Sequence, residues 1–185
     1  MKRNHEIFEV LHTEVLYRGS IFDVRKDDIR LPNGNFSQID IIDHRDAITI
    51  VPIDQQGMVL FTEQYRHPVK KVLLELPAGV TETGETPQLR ALREIREEIG
   101  MSAGKLDRIG GFYLAPGYST EYMHVFLATN LNPDPLPGDE DEFISVVRYS
   151  AKESISLAEN GKLQDSKSLV ALFWARPYLI KLGLL

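Results

Sequence analysis

One short amphipathic helix constrains this sequence more than any other feature. Thr86 is a suitable N-cap, Pro87 suits the first helical position, and Gly100 ends the periodic run. At roughly 100° per residue, the aliphatic side chains gather on one face and three carboxylates on the opposite face. The aliphatic residues are Leu89, Leu92, Ile95 and Ile99, and the carboxylates are Glu94, Glu97 and Glu98. We therefore expect one face of this helix to be buried and the other to present acids.

The acidic face has two interpretations. It can be a solvated surface on which Arg93 and Glu97 form an i,i+4 ion pair. However, Glu94 and Glu98 are like charges four residues apart, which destabilises a helix unless a positive charge lies between them. Carboxylates without neighbouring Cys or His ligands suit a hard cation such as Mg²⁺ or Mn²⁺. We therefore favour a platform for a divalent metal.

Composition limits the classes of protein to which the chain can belong. The 185 residues include 21 Lys plus Arg and 27 Asp plus Glu, for a formal net charge of −6 and no overall footprint for nucleic acid. The absence of cysteine excludes disulfides, thiolate metal ligands and Cys nucleophiles. No stretch approaches the ~20 consecutive apolar residues of a membrane span, and residues 1–10 lack the apolar core of a signal peptide. We expect a cytoplasmic protein without a membrane partner.

Turn signals and periodicity predict many strands and three helices. Residues 14–43 read as a small antiparallel meander. Further strands are predicted at 47–53, 58–64, 72–76, 109–114, 122–129 and 143–149, with a hairpin turn at 54–57 and a loop with glycines at both ends at 79–84. Ser150 and Glu153 form a capping box for a second helix, and a third runs from Asp165 or Ser166 toward residues 176–177. The pattern predicts an α+β or three-layer α/β/α fold.

A spaced motif surrounds the acidic helix. Gly79 is followed after five residues by Glu85 and after seven more by Arg93-Glu94-Ile95, then by Glu97-Glu98 and Gly100-Met101. This pattern resembles the Nudix box at every fixed position. The resemblance implies the Nudix fold over residues 46–185, with residues 1–45 as an N-terminal β extension. It also implies a loop–helix–loop metal site and hydrolysis of a nucleoside diphosphate linked to another moiety.

Segments outside the box resemble the ADP-ribose pyrophosphatase subgroup of that family. Pro116 and Gly117 lie beyond the box and lead to Ser119-Thr120-Glu121, and the stretches 63–66, 74–79 and 161–168 agree with the subgroup as well. The resemblance implies N-terminal strands exchanged in a homodimer, with partner residues completing an adenosine pocket.

The resemblance also assigns roles to residues of the box. It places the metal, Mg²⁺ with Mn²⁺ as a substitute, on the Ala78 carbonyl, Glu94 and Glu98, with Glu97 nearby; all are oxygen donors, as a hard ion requires. Glu85 would orient the loop, and Arg93 would hold the carboxylates. Gly79 and Gly100 complete the motif.

An acidic run and several scattered residues complete the predicted site. The run 139–142 would ordinarily be solvated surface, but the resemblance implies that a loop acid acts as the general base or an extra metal ligand. Glu140 is our choice of general base and Glu142 of auxiliary ligand, although the two roles could be reversed. Arg66 can fork onto phosphate or terminal-ribose oxygens, and Glu75 and Glu121 can accept hydrogen bonds from ribose hydroxyls. Arg18 and Ile21 would line the adenine through the exchanged strands.

Three functions remain open at this point. The leading one is Mg²⁺-dependent hydrolysis of ADP-ribose to AMP and ribose 5-phosphate. The second is the same chemistry on another nucleoside diphosphate sugar, such as GDP-mannose. The third is a non-catalytic sensor that binds ADP-ribose. The intact box disfavours the sensor, because a pure binder does not need Glu94, Glu97 and Glu98 together.

Overall fold

A computed structural model describes residues 7–138 and 142–185. The strands are β1 (Glu9–Arg18), β2 (Phe22–Arg30), β3 (Phe36–His44), β4 (Ala47–Pro52), β5 (Met58–Arg66), β6 (Lys71–Glu75), β7 (Ala78–Val80), β8 (Met101–Tyr113), β9 (Tyr122–Pro133) and β10 (Ile144–Ser150). The helices are α1 (Pro87–Ile99), α2 (Ala151–Glu159) and α3 (Ser166–Lys181). None of these helices is long and apolar enough to cross a membrane. The chain divides into two compact units.

The first unit comprises the chain up to Arg45 together with Tyr113–Glu121. Its strands form an antiparallel sheet in the order β1-β2-β3, which confirms the predicted meander. Inside it the buried Asp27 accepts hydrogen bonds from Arg25 and Thr13. In contrast, all ten residues of β1 are exposed, including several large apolar side chains.

The second unit, Asp46–Phe112 with Tyr122–Leu185, contains two further sheets. One has the order β7-β4-β9-β8, in which β4 and β9 are parallel, and the other has the order β10-β5-β6. The core lies on both sides of β4. Ile48 and Ile50 pack in the cluster with α1, whereas Val51 packs in the cluster with α3. Successive side chains of a strand face opposite ways, so β4 is covered by helices on both faces. This confirms the predicted α+β, α/β/α character.

The predicted hairpin at 54–57 was wrong in its strand pairing. The turn itself forms: the Asp54 side chain accepts the backbone N–H groups of Gln56 and Met58, and Gly57 has φ of 76°. However, β4 already has β7 and β9 as neighbours, so it has no free edge for β5. Past the end of β4, an isolated bridge pairs Ile53 with Val59 and the Asp54 N–H donates to the Met58 carbonyl, but the two strands belong to different sheets.

Three smaller predictions also needed correction. Leu89 is 57% exposed and not part of the core, because it lies in the first turn of α1. The loop expected at 79–84 begins as the short strand β7, which pairs with β4. Helix α3 continues beyond Pro177, since the fully buried Leu179 anchors its last turn to the core.

Candidate metal centre

Helix α1 is held in place by its caps and its apolar face. The Thr86 side chain accepts a hydrogen bond from the Leu89 N–H, and Gly100 closes the other end with φ of 71°. Both caps therefore follow the prediction. Ala91 and Ile95 are fully buried against the sheet. This anchoring brings Glu94 to the border of the core, where only 3% of it is exposed.

Gly79 allows the carboxylate of Glu94 to lie directly on the backbone of β7. A Cβ atom on Gly79 would be 2.5 Å from Cδ and Oε1 of Glu94 and 2.6 Å from Nη2 of Arg90. Real Cβ atoms do not come so close to other atoms, so a side chain here would displace the acid or the arginine. Steric exclusion by Glu94 and Arg90 thus explains why this chain has a glycine at position 79.

Glu94 is buried, and Glu98 beside it is partly exposed but has a buried carboxylate oxygen, Oε2. Burial raises the pKa of Glu94 to about 7; the charges of Glu97 and Glu142 act in the same direction, and Arg90 opposes them. Burial also raises the pKa of Glu98 well above its ordinary value, with the Glu94 and Glu142 charges adding to the effect. A hydrogen bond from the Ala78 backbone partly offsets this shift. Two carboxylates so placed repel each other unless a proton or a cation is shared between them.

The donor set fits a hard divalent cation. Oε2 of Glu98 is buried and has no hydrogen-bond partner in the described part of the chain. Buried acceptors rarely stay unsatisfied, so such an atom indicates a missing ligand. Among residues 7–138 and 142–185, no three acidic or histidine side chains converge as a closed metal cage. An open site with few protein ligands is what Mg²⁺ prefers, because it keeps waters and substrate oxygens.

Arg93 lies among three carboxylates beside this pair. Its Nη2 is 2.6 Å from Glu82, its Nε is 3.2 Å from Glu85, and its Nη1 is 3.2 Å from Glu97. Glu85 also accepts the backbone N–H of Glu82, which closes the loop before α1. Burial alone would raise the pKa of Glu85, but these hydrogen bonds lower it. The geometry places Arg93 as a brace between the loop and the acidic face.

A second charged cluster joins β5, β6 and the start of α3. Nε and Nη2 of Arg66 each donate to one oxygen of Glu75, both at 2.8 Å. Lys167 also pairs with Glu75, and it lies 3.0 Å from Asp165. Burial opposes the charge of Glu75, but hydrogen bonds and charges from Arg66 and Lys167 lower its pKa overall. The Glu98 charge acts on Arg66 as well, so this cluster adjoins the carboxylate pair.

Comparison with known proteins identifies the domain. The family model for the NUDIX domain matches residues 43–172, which is most of the chain. The chain belongs to the Nudix family. A second family model, the nucleoside diphosphate sugar hydrolase N-terminal domain, matches residues 8–38.

Named relatives of this Nudix chain are similar over most of their length. An ADP-ribose pyrophosphatase of Bacillus subtilis (strain 168) is 35% identical over 86% of this chain and 87% of its own. An ADP-ribose pyrophosphatase of Mycobacterium tuberculosis (strain ATCC 25618 / H37Rv) is 40% identical over 89% and 81%. The crystal structure of an ADP compounds hydrolase covers all of both chains with a TM-score of 0.89 at 26% identity.

The predicted site residues fall into four groups in this Nudix enzyme. The second unit brings together the metal-platform and box residues with the Arg66 cluster; they are Arg66, Glu75, Ala78, Gly79, Glu85, Arg93, Glu94, Glu97, Glu98 and Gly100. Glu142 is exposed but close enough for its charge to act on Glu94 and Glu98. Arg18, Ile21 and Glu121 belong to the first unit, where Arg18 pairs with Asp23. The predicted base Glu140 lies outside the described residues.

Two basic residues that contact acids of the candidate site were missed from the sequence. Arg90 contacts Glu94 with Nη2 2.6 Å from Oε2, and its i,i+4 spacing was a visible signal. Lys167 pairs with Glu75 across 92 residues of sequence, and no local pattern indicates such a contact.

Proposed function

We propose that this Nudix enzyme hydrolyses the pyrophosphate bond of ADP-ribose, with Mg²⁺, to give AMP and ribose 5-phosphate. One observation carries the proposal: beside the buried Glu94, the Oε2 atom of Glu98 is buried and no described protein group satisfies it. The pair lies on the helix of a Nudix domain. The substrate is supported by the names of the two relatives at 35% and 40% identity.

The metal ligands that we propose are the Ala78 carbonyl, Glu94 and Glu98, with Glu97 as a neighbouring carboxylate. All of these are oxygen donors, the class that Mg²⁺ or Mn²⁺ prefers. When bound, the metal would neutralise pyrophosphate charge and activate a water for in-line attack on phosphorus. Arg93 of the box orients the carboxylates around the site, because it donates hydrogen bonds to Glu97 and to the loop acids Glu82 and Glu85.

Substrate contacts come from the second cluster. Arg66 is the residue that we propose to hold the phosphates or the terminal ribose, because Glu75 engages Nε and Nη2 and thereby aims Nη1. Glu75 itself is almost fully buried, so we assign it to orienting Arg66 in preference to a direct ribose contact. We keep Glu140 as the general base and Glu142 as the auxiliary ligand, with the reverse assignment open.

The quaternary proposal is a homodimer formed through the N-terminal strands. Strand β1 is exposed along its whole length and carries Val10, Leu16 and Tyr17 at 56%, 48% and 59% exposure. An exposed apolar edge strand favours pairing with another chain. We propose that exchanged strands carry Arg18 and Ile21 to the adenine, and that Glu121 contacts a ribose. Sedimentation that finds only monomers at working concentrations would remove this part.

The test is steady-state hydrolysis of ADP-ribose with Mg²⁺, with the products AMP and ribose 5-phosphate resolved. Chelator should abolish turnover, and Glu98→Gln should reduce it by about 10³-fold or more, a loss of transition-state charge stabilisation. Glu159→Gln is the matched control, since Glu159 is exposed at the end of α2. Hydrolysis rates measured in parallel on GDP-mannose decide whether the enzyme prefers an adenine or a guanine nucleotide. Tight binding of intact ADP-ribose without turnover by folded wild type would favour the sensor.

A further inference from the structure

We propose that Arg90 is an internal counter-cation of the metal platform: it neutralises Glu94 when no metal is bound, and it thereby sets the affinity for the divalent ion. The inference rests on the metal site proposed above. It concerns a residue outside the fixed positions of the box, at one of the seven positions between Glu85 and Arg93.

The geometry places the Arg90 guanidinium against the ligand itself. Nη2 of Arg90 lies 2.6 Å from Oε2 of Glu94, and the Arg90 side chain is only 12% exposed. Glu94 and Glu98 are like charges at i,i+4, which need a positive charge nearby. Arg90 supplies that charge from one helical turn before Glu94. In this position the Arg90 guanidinium lies beside the Glu94 carboxylate and neutralises its negative charge, which a bound metal cation would otherwise do.

The contact is close but poorly satisfied. Oε2 of Glu94 and Nε of Arg90 are both buried without a hydrogen-bond partner in the described residues. The ion pair therefore gains from attraction between charges, while neither group is fully satisfied by hydrogen bonds. Separating a buried ion pair leaves each charge uncompensated, so a cation that binds Glu94 must compete with Arg90 for this carboxylate. This distinguishes Arg90 from Arg93, which makes hydrogen bonds to three carboxylates.

Arg90 also has nearby acceptors other than Glu94. Its Nη1 is 3.7 Å from Glu82 and 4.0 Å from Glu97. Glu82 has a 64% exposed side chain, so it can adjust to meet the guanidinium. When a divalent ion binds Glu94, we expect Arg90 to turn toward these two acids. Metal binding then includes the loss of one ion pair and the approach of two positive charges, both of which weaken it.

The test is calorimetric titration of Mn²⁺ into the metal-free full-length protein, without substrate, at one fixed alkaline pH. The variants are Arg90→Met, which keeps the apolar stem, and Arg90→Lys, which keeps the charge. Arg96→Met is the matched control on the same helix, because Arg96 pairs with Asp134 and not with the platform. Thermal unfolding of each metal-free protein is measured in parallel.

Arg90→Met should bind Mn²⁺ roughly tenfold more tightly, because a like charge next to the ion has been removed. The metal-free form of Arg90→Met should unfold at a lower temperature than the metal-free wild type. The Mn²⁺ affinity of Arg90→Lys should stay close to that of wild type, and the Mn²⁺ affinity of Arg96→Met should be unchanged. Equal or weaker binding by Arg90→Met overturns the inference, and so does equal tightening by Arg96→Met. Wild type that binds no Mn²⁺ overturns the metal site as well. If wild type binds Mn²⁺ and Arg90→Met binds it no more tightly, only the proposed role of Arg90 is overturned.

Discussion

Arg66 and Glu75 meet through two parallel hydrogen bonds of 2.8 Å, from Nε to Oε1 and from Nη2 to Oε2. This bidentate fork fixes the plane of the guanidinium as well as its position. The carboxylate is 3% exposed, and Lys167 approaches it from the start of α3. One buried acid therefore joins two strands and a helix beside the carboxylate pair of α1.

Removing Lys167 should destabilise the protein substantially. Lys167→Met removes the positive charge that pairs with the carboxylates of Glu75 and Asp165. Breaking a buried ion pair costs about 3–5 kcal/mol of unfolding free energy. Urea denaturation measures the change. Lys152→Met, at an exposed position of α2, is the control and should alter stability by less than about 0.5 kcal/mol. A loss of under 1 kcal/mol for Lys167→Met would be about the size of an exposed-pair effect and would contradict the prediction.

Arg66→Lys should damage activity although it keeps the charge. A lysine ammonium cannot replace both forked bonds to Glu75, so the group facing the substrate loses its fixed direction. We expect kcat/KM for ADP-ribose to fall by about tenfold or more, which corresponds to at least ~1.4 kcal/mol of transition-state stabilisation. Steady-state kinetics measures both parameters. Unchanged kcat/KM would mean that Arg66 has only a structural role.

Gly79→Ala should impair metal binding and stability together. The new Cβ would lie 2.5 Å from the Glu94 carboxylate, so the ligand or the strand must move. Overpacking of this kind costs about 1–3 kcal/mol. Gly117→Ala is the control, because its Cβ would meet no atom within 4 Å and its φ is not in the left-handed region. Mn²⁺ titration and urea denaturation should separate the two variants, and equal behaviour would refute the steric role of Gly79.

Local signals in the sequence predicted the helices well. Thr86, Gly100 and the Ser150–Glu153 capping box all do what their residue types indicated, because a cap depends on a few neighbouring residues. The pairing of β4 was not predictable in the same way. It depends on which strand edges remain free after β7 and β9 are in place, and this is decided by the whole sheet.

The candidate site shows the same division between local and distant information. Helical spacing placed Glu94, Glu97 and Glu98 on one face, and the structure keeps them beside each other. Spacing did not reveal that Glu94 is buried, since that depends on the close approach of Gly79. Nor did it reveal Lys167, whose partner is 92 residues away. Electrostatic partners from distant elements need the folded chain before they can be assigned.

The metal-free protein should lose stability as pH rises through neutrality, and metal should restore it. Folding raises the pKa of Glu94 from 4.5 to about 7 and that of Glu98 in the same direction, so the folded state holds more protons. The associated stability is complete below about pH 4.5 and is lost as pH rises through about 7. Mg²⁺ should therefore raise Tm more at alkaline than at acidic pH, by about 5 °C or more.

Glu98→Gln removes one of the repelling charges, so its metal-free form should melt higher than wild type at alkaline pH and respond less to Mg²⁺. Differential scanning calorimetry with chelator or Mg²⁺ tests this, with Glu159→Gln as the control; a metal-free Tm that rises between pH 5 and pH 8 would refute the shared burial of the pair.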